Sequence, residues 1–151
     1  MTARHISLFR VLIGVCAIGA LLAQVVVVPQ VAADYADRYP EVAHLELPYL
    51  VAVVVAIGGF EVALLAAWRL LAAAKDVSVG RSKRWINLMA ASLCFTALVL
   101  AGVCVHAGSV ENIGGPAMLF GVLASVAIIA GVIALRSRAL PFYLAADRGY
   151  P

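Results

Sequence analysis

Residues 49–71 read YLVAVVVAIGGFEVALLAAWRLL, an apolar run entered through Pro48 and broken by one acid, Glu61. As a helix rising about 1.5 Å per residue, the run covers roughly 33 Å. That is enough to cross the ~30 Å hydrocarbon core of a bilayer, with Glu61 near mid-depth. A carboxyl group at that depth has to be enclosed by protein, so this helix belongs with others.

The rest of the chain agrees. Of 151 residues 65% are hydrophobic and 13% charged, and the mean hydropathy is +1.05, the composition of a bilayer protein with short polar connections. Three further apolar runs flank the central one, giving spans at about 9–29, 49–71, 85–106 and 116–135. The expectation is an all-α integral membrane four-helix bundle. A single four-span domain occupies 1–138, and 139–151 form a short tail. Val31-Ala32-Ala33 resembles a signal cleavage site, but the first apolar run outlasts a signal h-region, so an uncleaved first helix is the expectation.

Charge sets the orientation. Ten of the eleven Lys and Arg residues fall in the N-terminal segment, in the connection 69–84 and in the tail; Arg38 alone falls in the other connections. The positive-inside rule therefore predicts both termini and the connection 69–84 on the cytoplasmic side of the membrane. Trp68 and Trp85 flank the basic connection where indole rings anchor at the headgroups. The connection 29–48 is acidic and amphipathic. Asp34, Asp37, Glu41 and His44 stand at helical intervals within it, but Pro40 interrupts the register a shared metal ion would need. No metal site is assigned.

Helix faces follow from about 100° per residue. Ala52, Ala56, Gly59, Ala63 and Ala67 form one stripe of the second span, with Glu61 directed away from it. Small stripes let helices approach closely, so protein is expected on two opposed sides of this span. The fourth span has its own stripe in Ala117, Gly121, Ala124, Ser125 and Gly131. Counting residues inward from the surface puts Thr96 and Ser125 level with Glu61. Glu61, Thr96 and Ser125 are thus the candidate intramembrane polar cluster.

Nothing in the sequence points to an enzyme or a cofactor. Cys16, Cys94 and Cys104 make no C-x-x-C, His5 and His44 lie outside the spans with His106 at a helix mouth, and there is no phosphate loop or Ser-His-Asp set. The basic connection suits anionic lipid better than nucleic acid. Two functions follow. The first is a non-enzymatic interaction or regulatory partner of a larger membrane complex or regulator, in contact with membrane lipids and with a protein partner or its own copies. The alternative is a small proton-coupled transporter acting as a dimer through Glu61, by fold-level analogy with small multidrug exporters.

Tyr39-Pro40-Glu41-Val42-Ala43-His44-Leu45, Pro48-Tyr49-Leu50, Trp68-Arg69-Leu70-Leu71, Arg84-Trp85-Ile86 and Gly114-Gly115-Pro116 occur in that order. Together they resemble an uncharacterised bacterial family of short four-helix membrane proteins, domain of unknown function 2975, of actinobacterial type. The resemblance runs from about Arg10 to Arg138. It implies the four-span fold and a bacterial plasma membrane, and it implies no activity. Some relatives resemble proteins encoded beside small helix-turn-helix regulators, which leans towards regulation. Relatives tend to end in a charged amphipathic helix, and residues 139–151 depart from that pattern.

Overall fold

The structure is a computed structural model describing residues 3–73, 79–111 and 115–147. Lys75, Asp76, Gly114 and residues 148–151, all used in reading the sequence, lie outside it. The described residues form α1 (Ala3–Leu22), a π-helical turn (Ala23–Val27), α2 (Val28–Arg38), a 3-10 segment (Pro40–Leu45), α3 (Glu46–Ala73), α4 (Val79–Ser109) and α5 (Pro116–Asp147). Among the described residues four stretches are long and apolar enough to cross a membrane: His5–Arg38, Ala43–Ala72, Lys83–Ser109 and Pro116–Arg138.

Helix runs further than the sequence reading placed it at two points. The connection 29–48 is helical over most of its length, because Pro29 does not end the first helix. A proline inside an α-helix removes one hydrogen bond and presses its ring on the carbonyl four residues back. Here the π turn lies immediately before it, and its wider i→i+5 spacing opens the backbone where the ring needs room. The actual break comes at Tyr39 (φ −129°, ψ 73°), ahead of Pro40. The tail is helical as well: α5 continues through Pro141 to Asp147.

Packing is carried by small residues. Among the described residues the buried hydrophobic side chains are Leu45, Ile86 and six alanines, Ala56, Ala63, Ala66, Ala90, Ala97 and Ala107. Leucine, valine and phenylalanine instead line the outer faces, as on Val15, Ile18, Phe120 and Leu123. That is the reverse of a water-soluble bundle. In lipid no apolar surface gains by hiding, so association depends on close backbone approach and interhelical hydrogen bonds.

The helices meet in series, α1 with α3, α3 with α4 and α4 with α5. The small stripe of α3 takes α4: a Cβ built on Gly59 would stand 2.6 Å from Thr96 Oγ1 and 3.1 Å from Phe95 Cδ1. The other side of α3 takes α1, where Gly14 lies against Trp68. Protein therefore covers α3 on two sides, as its two faces predict. Of the small stripe on α5, Gly121 meets Cys104 and Ser125 is buried. Ala117, Ala124 and Gly131 remain exposed.

Candidate functional site

The first polar region is the seam between α1 and α3. Arg10 Nη2 donates to Leu71 O at 2.9 Å near one end, and Gln24 Nε2 donates to Val54 O at 3.1 Å beyond the middle. Gly14 lies against Trp68 between them. Val54, Glu61 and Trp68 are seven residues apart and so share a helix face. Glu61 is therefore turned towards α1, and the antiparallel register of these contacts sets it level with Ala20. Among the described residues its buried Oε1 has no hydrogen-bond partner, and neither has Nε of Arg10. Ten residues separate Glu61 from Leu71, about 15 Å along the helix, so Arg10 is not its counter-ion.

Thr96 and Ser125, the side chains expected beside Glu61, have other partners. Thr96 Oγ1 donates to Ala56 O at 3.0 Å across the α3–α4 contact, and Ser125 Oγ donates to Gly121 O at 2.9 Å within its own helix. Depth counting places the three at one level but carries no information on rotation. Thr96 sits on the small-residue side of α3, opposite the carboxyl.

The second region is the end of the molecule holding most of its acids. Tyr49 Oη and His106 Nδ1 are 2.9 Å apart with their rings edge to face, joining the start of α3 to the end of α4. His44 Nε2 lies 3.7 Å from Glu111, linking the 3-10 segment to the turn after α4. Among the described residues no three His, Cys, Asp or Glu side chains are grouped to hold a metal ion.

Beside this cluster α2, α3 and the ends of α4 and α5 border a half-open cavity of about 430 Å³. Val28, Val31 and Ala32 of α2 face Leu50 and Val53 of α3 across it, and Ala107 and Met118 close one side. Tyr35, Glu46 and Tyr49 are the polar residues of its wall. Its volume is within the ~300–1,000 Å³ usual for small-molecule sites.

The opposite end is basic. The Arg69 guanidinium lies 5.9 Å from the centroid of the Trp85 ring, and Arg136 Nε donates to Asn87 Oδ1 at 3.0 Å. These contacts fasten α3 to α4 and α4 to α5 at the level where Arg10 holds α1.

A family model described as a protein of unknown function, DUF2975, matches residues 30–140. The chain belongs to this family. No curated protein and no solved structure matches it. The DUF2975 match takes in most of α2, all of α3 and α4, and α5 to residue 140, and it leaves α1 ahead of it. Glu61, Thr96, Ser125 and nearly the whole cavity wall are thus DUF2975 positions, whereas Arg10 and Gln24 are not. The Tyr49–His106 pair escaped the sequence reading although both residues stand at facing helix mouths. The signal for it is the placing of two polar rings at neighbouring ends of antiparallel spans, Tyr49 just after Pro48 and His106 just before the turn at 107–115.

Proposed function

We propose that this DUF2975 protein is a non-enzymatic, multi-pass protein of the bacterial plasma membrane with both termini cytoplasmic. In this reading it acts as an interaction or regulatory partner of a larger membrane complex or regulator. One observation carries the reading. α5 is covered by α4 on one side, and Ala117, Ala124 and Gly131 recur every seven residues on its exposed surface. These three lie roughly a third of a turn from the covered face. A row of that kind admits another helix at close range. The hydroxyls of Thr96 and Ser125 are committed to backbone carbonyls, which supports a packing role over a chemical one.

The test is purification of the tagged full chain in mild detergent, followed by mass spectrometry. A stoichiometric membrane protein should accompany the wild type and be lost from an Ala124→Leu, Gly131→Leu variant. Co-purification unchanged by those substitutions, or none at all, sinks the reading. The orientation is tested in a variant whose three cysteines are replaced by alanine. A thiol introduced at Asp37 should react with an external, impermeant reagent and one at Lys83 should not.

The second reading, a small proton-coupled transporter acting as a dimer, is favoured by the enclosed and unbonded Oε1 of Glu61. Infrared spectra across pH separate the two. A carboxylic C=O band absent from Glu61→Gln that vanishes between about pH 6 and 8 supports transport. One that persists to high pH removes it.

A further inference from the structure

We propose that the cavity at the acidic end holds one acyl chain of a membrane lipid whose headgroup carries an ammonium, seated at Glu46. The proposal rests on the membrane-spanning character of the chain and is independent of any protein partner.

The shape comes first. On α2 the wall runs from Val28 to Ala36, about 12 Å along the axis, and on α3 from Glu46 to Val53, about 10 Å. Both walls belong to helices that cross the membrane, so the slot is long in the direction in which lipid tails lie. It remains open because alanines stand where larger side chains would fill it, at Ala32, Ala36 and Ala107.

The π turn contributes to the same wall. Ala17 and Ala20 of α1 are half-buried before it, Gln24 within it, and Val28, Ala32 and Ala36 of α2 after it. Steps of four residues drift round an α-helix by about 40° each, and the extra residue of a π turn takes back about 100°. α2 thereby keeps its small side chains directed at α3 for its full length, and the slot has two walls.

Charge complementarity selects the headgroup. Asp34, Asp37, Glu41, Glu46 and Glu111 gather at this end against Arg38, and His44 is engaged with Glu111. Glu46 belongs to the cavity wall, is exposed, and forms no ion pair among the described residues. Tyr49 spends its hydroxyl on His106. The carboxylate free to meet a headgroup is thus that of Glu46. It attracts an ammonium, while the surrounding acids repel a lipid with only a phosphate.

The experiment reconstitutes the full chain into vesicles of equal phosphatidylethanolamine and phosphatidylglycerol, extracts it gently and counts retained lipid by native mass spectrometry. The wild type should keep one lipid per chain, with phosphatidylethanolamine in excess. Ala32→Phe, which fills the slot, should lose it, and Ala33→Phe, on the exposed side of α2, should keep it. Glu46→Gln should retain a lipid while its preference falls about threefold, as expected for one partly exposed charge pair. A wild type without lipid, retention unaffected by Ala32→Phe, a preference for phosphatidylglycerol, or a second protein copy in place of lipid each overturns the proposal. If Ala32→Phe fails to fold, the Glu46→Gln preference decides, and no change in it is the overturning result.

Discussion

α3 holds its two neighbours by different means. Against α4 it presents Ala56, Gly59 and Ala63, and the backbones come so close that Thr96 reaches the Ala56 carbonyl across the gap. Against α1 it presents bulk, Trp68 upon Gly14, and the attachment is made by two long side chains, Arg10 and Gln24, each reaching a backbone carbonyl. The first contact is a packed surface and the second a pair of hooks. The DUF2975 match begins beyond α1. The contrast teaches that in lipid a helix can be held by shape, where every added atom matters, or by a few hydrogen bonds, where most positions are free to vary.

Breaking the packed surface should have the largest effect. Gly59→Val sets a branched side chain where one Cβ already meets Thr96 and Phe95, and should cost about 2–3 kcal/mol in detergent unfolding. Gly19→Val, on α1 with nothing within 4 Å, should stay within about 0.5 kcal/mol of wild type. Equal losses at the two glycines would mean that the cost belongs to valine in a helix and not to the α3–α4 contact.

Removing a hook should do less and do it locally. Gln24→Leu deletes the bond to Val54 O, a loss of about 0.6–1 kcal/mol. Amide exchange should quicken in α1 and α2 while α4 and α5 keep their protection. A uniform change across all the helices would show that α1 unfolds only with the rest.

The smallest effect sharpens the comparison most. Since the carboxyl of Glu61 has an oxygen without a partner among the described residues, Glu61→Gln should be close to neutral. Glu61→Leu should be neutral or stabilising by up to about 1 kcal/mol, because it replaces a buried unsatisfied group with an apolar one. A loss above about 1 kcal/mol in Glu61→Leu would mean that the carboxyl is bonded after all and is a third hook.

Much of this architecture is legible in the sequence, because the bilayer imposes lengths and depths that can be counted. The runs around Glu61, Trp85 and Pro116 could be read as spans for that reason. The two faces of α3 were legible too, since Gly59 and Glu61 project to opposite sides by helix geometry alone. What counting could not supply is rotation between helices, and there the polar cluster came apart: depth set Thr96 beside Glu61, and the structure sets it against Gly59 on the opposite face of α3. Pro29 misled for a related reason. Its usual effect on a helix depends on the backbone before it, and no single residue in Ala23–Val27 announces a π turn.

The unbroken helical run through that turn has a mechanical consequence. Gln24 stands fourteen residues from Arg10 and fourteen from Arg38, so a rod pinned to Val54 at Gln24 is a lever with arms of about 21 Å each. If the rod pivots there, an ångström of outward travel at Arg38, such as an occupant wedged into the slot would impose, returns about an ångström of inward travel at Arg10. Paired spin labels at Arg38 and Arg10, each measured against α4, would register the two displacements with opposite sign, and displacement at one end alone would show that the π turn bends instead of transmitting.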